Sequence, residues 1–523
     1  MKCLLFFPFL FLLLQCGQPS PPKCWITPYS VRKEKPTSSL TQARNAWNHL
    51  SHSPSLEARQ NYNLAVSNLF ARLRCGSSDW HAEARKLGTV IDDSPNVGLG
   101  YKLTDLEAVV PASRISLKQI GTRYQDDGIG IPVVGWKSAP TKEKRRFNFA
   151  PPTGIPLNLN AILDFSTQPP TWRFRYPGKV PQMKLGKRSE PLSVDWSASS
   201  ALYWKMSDLD DADLTKVILP TRLTEHAGLF FATPYNPKKI PVVFTHGLYS
   251  SPGTYKKLYN ELAGQKWFRD RYQVLFFSYP TGIAWPYNAA EFRRQIRLAQ
   301  DYAIKKGKGD LTQWNKMVLI GHSMGGVISR ASVIDPKEHF YNASYSKPID
   351  ELDISDSTRQ AIKSVRLYKP LKAPTRVIYM ASPHQGSPMA DRLLFTWVSS
   401  LIRLPKTLTI DLATATLSEI TKAIQQGGQT RPPLTSIGTL SPYYRPYRAL
   451  NECQCDSHIK YHSIIGNRGS GKREGSSDGV VPYWSSHLDG HQSEKIVPAG
   501  HSLISHDETI AEIKRILQLH LKN

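Results

Sequence analysis

MVLIGHSMGGVISR, residues 317–330, passes from an apolar run through a glycine-flanked serine into a helix-like stretch. Met317–Ile320 has the wholly apolar character of a strand buried on both faces. Gly321-His322-Ser323-Met324-Gly325 is a G-x-S-x-G pattern, and Gly326–Arg330 begins a helix. Between a strand and a helix this pattern makes a nucleophile elbow, a turn so tight that the serine is held in a strained backbone conformation. Small residues two positions either side prevent clashes, and Gly321 and Gly325 supply them. The strain lifts the Ser323 hydroxyl clear of the sheet and aims the next amide, that of Met324, where an oxyanion would form. A chance match in a loop is common in long chains, but chance does not supply the flanking strand and helix.

Around this stretch, apolar strands alternate with helical patterns. Ile240–Thr245 (IPVVFT), Gln273–Tyr279 (QVLFFSY), Thr375–Met380, Tyr461–Gly466 and Ile496–Pro498 read as strands. Tyr255–Leu262 looks helical, as does Glu291–Lys305, where Phe292, Ile296, Ala299 and Ile304 fall at helical spacing, and Glu508–Leu519 closes the chain. The alternation predicts an α/β architecture over 236–523, a mostly parallel central sheet covered by helices on both faces. About 393–450 the alternation is interrupted by helix-like stretches such as Leu412–Gln425. Following a core strand, this span reads as a lid; Trp397, Leu401 and Ile402 would give it an apolar face for acyl chains, or serve as ordinary core. Upstream, 38–75 reads as a helical hairpin, with Ala43, Ala46, Trp47 and Leu50 before Ser53-Pro54 and Leu64, Leu69, Phe70 and Leu73 after it. Residues 76–235 hold short extended runs broken by proline and glycine, such as Ala108–Pro111, Gly130–Val134 and Leu157–Phe165, and read as a small β-rich accessory region without clustered catalytic residue types.

A serine hydroxyl needs a base, an acid to orient that base, and donors for a tetrahedral oxyanion. Thr245-His246-Gly247-Leu248 follows an early strand, and the Leu248 amide is the second oxyanion donor beside Met324. The acid is Asp478, delivered by the Gly- and Ser-rich loop after Tyr461–Gly466; Asp456 precedes that strand and Asp489 lies in the surface-like His487–Gln492 segment, so both rank below it. The base is His501, directly after the last strand and next to Gly500. His506, at the start of the closing helix, is its competitor, a position where a histidine is often a surface or cap residue. His384, in a loop near a strand end, reads as a hydrogen-bonded structural histidine. No metal or organic cofactor is implied. Cys453-Gln454-Cys455 lacks metal-ligand spacing and a matching second pair.

The 523 residues carry a formal charge of +25 and are 40% hydrophobic, enough for a sizeable core and against global disorder. The charge favours anionic surfaces such as phospholipid headgroups, though a basic solvated surface accounts for it equally. Clusters such as Lys142–Arg146 and Lys184–Arg188 lack nucleic-acid-binding signatures, so nucleic acid is not expected. Met1-Lys2 followed by apolar Cys3–Leu14 has the form of a signal peptide (1–16), and 17–37 that of a tether. Gln15-Cys16-Gly17 resembles a lipoprotein signal with Cys16 as the lipidated residue, although Gln15 departs from the usual small residue; secretion after ordinary cleavage and an uncleaved anchor are the other two readings. All three export the chain. Of the six cysteines, Cys24, Cys75, Cys453 and Cys455 remain after the signal, with three ways to form two disulfides.

The elbow, the KIPVVFTHGLYSSP segment, Ala381–Pro388 (ASPHQGSP), the SDGVVPYWSSHL segment and the GHS before the closing helix together resemble bacterial α/β-hydrolases of the lipase/esterase type. More narrowly, they are similar to predicted acyl hydrolases related to the GPI inositol-deacylases. The resemblance spans roughly 236–523. It implies an α/β-hydrolase fold, with Ser323 as nucleophile, Asp478 as acid, His501 as base and Leu248 and Met324 lining the oxyanion hole; His506 does not match its pattern. The expected function is an exported serine hydrolase cleaving lipid or other acyl esters through an acyl-enzyme. The rival expectations are an acyltransferase using the same acyl-enzyme, and a non-catalytic surface lipoprotein binding an anionic partner.

Overall fold

The computed structural model describes residues 36–74, 79–92, 101–141, 149–207, 227–389, 423, 436–453, 455–469 and 473–522. The signal, the tether up to residue 35 with Cys16 and Cys24, Cys75, the Lys142–Arg146 cluster and most of the lid-like span, including Trp397, Leu401, Ile402 and all of Leu412–Gln425 but residue 423, lie outside them; residues 36–37, read as tether, begin the first helix. Among the described residues, no helix is long and apolar enough to cross a membrane.

Two helices come first, Pro36–His52 and Leu56–Arg74. The accessory strands follow as β1 (Val90–Ile91), β2 (Ala108–Pro111), β3 (Gln125–Asp126), β4 (Ile131–Ser138), β5 (Gly154–Asp164), β6 (Thr171–Arg175), β7 (Gln182–Leu185), β8 (Arg188–Pro191) and β9 (Val194–Asp195). Five of them form a sheet in the order β1-β6-β5-β4-β2, while β3–β9 and β7–β8 are two-stranded ribbons. Period-two alternation decides what each face meets. Val109, Ile131 and Val133 point to the helical hairpin and pack with Tyr62, Leu69 and Phe70. Ala108, Val110, Val134 and Trp136 point the other way, into a core shared with the second sheet.

That second sheet is built from β10 (Gly228–Phe231), β11 (Ile240–Thr245), β12 (Tyr272–Ser278), β13 (Met317–His322), β14 (Pro374–Met380), β15 (Lys460–Gly466) and β16 (Ser493–Val497), in the order β10-β12-β11-β13-β14-β15-β16. All pairs are parallel except β10–β12. Every residue of β11, β12 and β13 is buried, as strands covered on both faces must be. Val242, Phe244, Val274, Phe276, Val318 and Ile320 face the core shared with the accessory module and the closing helix Asp507–His520. Val243, Leu275, Phe277 and Leu319 face the opposite core, where Phe292, Ile296 and Ala299 of the helix Trp285–Gly307 meet Val327 and Ile328. Thr245 pairs with Gly321 and His322 with Met380, so the carboxyl ends of β11, β13 and β14 lie level.

The large sheet begins before residue 236. β10, which falls in the stretch read as accessory, is its antiparallel edge strand. A four-residue edge strand gives too short an apolar run to separate from the neighbouring extended pieces. The accessory module is fastened to this sheet by polar bonds as well as shared core. Asn260 donates to the Thr122 carbonyl at 2.7 Å, and the Tyr124 hydroxyl to Glu261 at 2.6 Å. The described end of the lid-like span, helix Arg445–Glu452, is buried against the domain, with Asn451 accepting from Arg330 at 2.8 Å. Cys453 and Cys455 are free thiols.

Candidate active site

β13 is the fourth of seven strands, and the chain turns at its end through Ser323 at φ 52°, ψ −125° into the helix Met324–Val333. A β-carbon cannot be fitted at the flanking positions. Added at Gly321 it would lie 2.5 Å from the Gly325 carbonyl, at Gly325 2.0 Å from the Thr245 carbonyl, and at Gly326 1.8 Å from Ser382 Oγ. Glycine lets the elbow helix approach the ends of β11 and β14. Ser323 shares its positive φ with Tyr249 (54°) and Ala381 (48°), which lie just beyond β11 and β14. Three of the six non-glycine positive-φ residues among those described thus lie where the sheet ends, a usual place for a functional constraint.

Three polar side chains converge there. Ser323 Oγ lies 2.9 Å from His501 Nε2, and His501 Nδ1 lies 2.7 Å from Asp478 Oδ2. A carboxylate can only accept, so Nδ1 carries the hydrogen and Nε2 is left as acceptor for the serine proton. Asp478 is 1% exposed, and its other oxygen accepts the N–H groups of Val480 at 2.8 Å and Val481 at 2.7 Å. Both carboxylate oxygens are thus satisfied. Gly479, at φ 94°, makes the turn that brings those amides back. Gly466, at the end of β15, leaves room for the acid: a β-carbon there would lie 2.8 Å from Asp478 Cβ.

His322 sits beneath the base. It is buried, and its Nε2–H donates to the His501 carbonyl at 2.8 Å. Burial, with the neighbouring His501 adding to it, lowers its pKa to about 3, so the ring is neutral and acts as a fixed donor. The loop after β11 reaches the nucleophile from the other side. An added β-carbon on Gly247 would lie 3.0 Å from Ser323 Cβ, which puts the chain leading into Leu248 against the serine. Tyr255 donates to the Thr245 carbonyl at 2.8 Å and Tyr279 to the His246 carbonyl at 2.6 Å. The His246 ring stacks on Tyr279 at 4.3 Å, and burial takes its pKa down to about 4. Met324 opens its helix, so its N–H has no intrahelical acceptor.

The competing residues are engaged elsewhere. His506 caps the closing helix by accepting the Glu508 N–H at 3.3 Å. Asp456 pairs with His458 at 2.7 Å, and Asp489 is exposed beside His487. His384 differs from its sequence reading as a hydrogen-bonded side chain. The ring is wholly buried edge-on to Tyr379 at 4.6 Å, and among the described residues neither nitrogen has a hydrogen-bond partner. Burial and the nearby Arg330 push its pKa well below 6.5, which keeps it neutral, and its hydrogen bonds run through the backbone, N–H to Ser485 O at 2.7 Å. The supports missed from the sequence are His322, Gly466, Tyr255, Tyr279 and the Gly326–Ser382 contact. A glycine closing a strand is a weak signal for Gly466, and the others have no local one. Among the described residues, His501 and Asp478 belong to no grouping of three or more histidine, cysteine or carboxylate ligands.

Residues 236–345 match the family model described as a PGAP1-like alpha/beta domain. The mostly parallel sheet with the serine elbow after its central strand is an α/β-hydrolase fold. Among solved structures, the mature form of a Bacillus licheniformis lipase is similar at 19% identity over 55% of this chain and 97% of that chain, with a TM-score of 0.33. A metagenomic carboxyl esterase is similar at 13% identity over 55% and 78%, with a TM-score of 0.29. The apo form of Thermogutta terrifontis esterase 2 is similar at 14% identity over 55% and 88%, with a TM-score of 0.27. No curated protein matches the chain.

Proposed function

We propose that this α/β-hydrolase cleaves carboxylic esters of the lipid or acyl-ester class through an acyl-enzyme on Ser323. The observation that carries the reading is the continuous hydrogen-bond path from Ser323 to His501 to Asp478 at the strained end of the central strand. His501 Nε2 takes the hydroxyl proton as Oγ attacks the ester carbonyl carbon. Asp478, already saturated by two amides, holds the imidazole and stabilises the imidazolium that forms. The carbonyl oxygen becomes an oxyanion between the Leu248 and Met324 N–H groups. Collapse breaks the ester bond, and His501 returns the proton to the leaving alcohol. Water then attacks the acyl-enzyme by the same route, releasing the carboxylic acid and restoring the serine.

The test is turnover of p-nitrophenyl esters of graded chain length by wild type and Ser323→Ala. Wild type should hydrolyse them and the variant should fall to background; equal rates would remove Ser323 from the chemistry. The signal-like Met1–Gly17 stretch separately supports export, either as a lipoprotein tethered to a membrane through Cys16 or as a secreted protein. Metabolic labelling with a clickable fatty acid should mark the wild type and not Cys16→Ser. Labelling of both, or of neither, would contradict the tether.

A further inference from the structure

The segment between the acid and the base carries a second constellation. His487 follows the short helix Tyr483–Ser486, and Glu494 stands on β16, the strand that leads to His501. His487, His491 and Glu494 are each half-buried, and one ligating atom of each lies within 4.8 Å of the other two. Gly490, at φ 78°, folds the chain back so that the two imidazoles, four residues apart, come within 5.5 Å centroid to centroid.

The surrounding bonds prepare these groups. His491 Nδ1–H donates to the Leu488 carbonyl at 2.7 Å, which fixes the tautomer and leaves the Nε2 lone pair as a ligand. A ring nitrogen held by a backbone carbonyl is how metal-binding histidines are usually oriented. The Tyr483 hydroxyl donates to Glu494 Oε1 at 2.9 Å and orients that carboxylate. His487 lies between two carboxylates, Glu494 Oε2 at 2.6 Å from Nδ1 and Asp489 Oδ1 at 3.2 Å from Nε2. Each His487 nitrogen faces a carboxylate, which can only accept, so both carry a hydrogen in the metal-free state, and a zinc ion would take the place of the proton between Nδ1 and Glu494.

We propose that this cluster is a Zn²⁺ site, with His487, His491 and Glu494 as ligands and solvent in the fourth position. Mixed imidazole and carboxylate donors suit zinc, whereas magnesium and calcium prefer oxygen alone. Zinc bonds of about 2.0–2.2 Å in a tetrahedron put ligand atoms roughly 3.4 Å apart. The pair at 2.6 Å must open by about 0.8 Å and no other pair need close by more than about 1.4 Å, within the rotamer freedom of half-buried side chains. The ion would pin the segment 483–494 to the edge strand that carries the chain to His501.

The test uses the full chain without a histidine tag and zinc alone. Calorimetry should give one zinc per chain with a micromolar or tighter Kd, and the thermal midpoint should rise with zinc and fall back with EDTA. A His487→Gln/His491→Gln double variant should lose affinity by roughly 100-fold or more. Failure of the wild type to bind zinc, or equally tight binding by the double variant, would overturn the site. Should the double variant misfold, X-ray absorption at the zinc edge of the loaded wild type decides: two imidazole nitrogens plus carboxylate oxygen are required, and a shell without imidazole contradicts the assignment. Ester turnover enters neither arm, so this test stands apart from that of the esterase reading.

Discussion

Asp478 is held by three hydrogen bonds, two from backbone amides and one from His501. Asp478→Asn keeps the shape but offers an amide where the imidazole needs a carboxylate, so the ring turns to the wrong tautomer. The expected result is a fall in kcat of roughly 10⁴-fold with KM little changed, read by steady-state ester hydrolysis. A drop below tenfold would mean another acid serves His501. His322 is a positioning residue, acting through the His501 carbonyl. His322→Gln keeps an N–H donor and should retain most of kcat, whereas His322→Leu leaves that carbonyl unpaired and should lose roughly tenfold, the value of about one buried hydrogen bond. Equal effects in both variants would assign His322 to packing alone. Ser323, Asp478 and His501 are nameable from the sequence because each follows a readable strand. His322's partner is 179 residues away, a pairing that only the folded sheet creates.

At the scale of the element, the elbow helix depends on glycine at 325 and 326 in its first turn. Gly326→Ala would drive a methyl to 1.8 Å from Ser382 Oγ and push the β14 loop from the site. Overpacking of this kind costs about 1–3 kcal/mol, so the thermal midpoint and kcat should both fall. Gly282→Ala, with nothing within 4 Å of the added carbon, is the matched control and should be neutral. Unchanged melting of Gly326→Ala would show that the helix has slack. The parallel strands were legible because burial on both faces leaves apolar runs of four or five residues, as in β11, β12 and β13. β10 and the two-residue β1 and β3 were not, since their ladders depend on partners supplied by distant segments.

For the whole molecule, the shared core makes the accessory module part of the hydrolase rather than an appendage. Trp136 and Trp204 pack in one cluster with Phe230, Phe276 and Leu258. Removing residues 1–226 would bare that face, and the expected outcome is aggregation, followed by light scattering; a soluble, active fragment would contradict a shared core. This interdependence was not legible in the sequence, where 76–235 offers only short runs with no stated partner. Stability should also depend on pH. Burial is the leading cause that depresses His246 and His520 to about 4 and His322 and His462 to about 3, all neutral in the fold. Unfolded, each would bind a proton below about 6.5, so their contribution is complete above that pH and is lost as pH falls toward 4. At pH 5 the loss is on the order of 2 kcal/mol for each. Thermal midpoints should drop steeply between pH 6.5 and 4, and a flat profile would mean these rings are solvated.

Covalent trapping tests the central claim most directly. Wild type is treated with a fluorophosphonate, digested, and the modified peptide identified by mass spectrometry. The expected result is a single adduct on Ser323, abolished in Ser323→Ala and strongly slowed in His501→Ala. An adduct on another residue, persistent labelling of Ser323→Ala, or no labelling of folded wild type would contradict it.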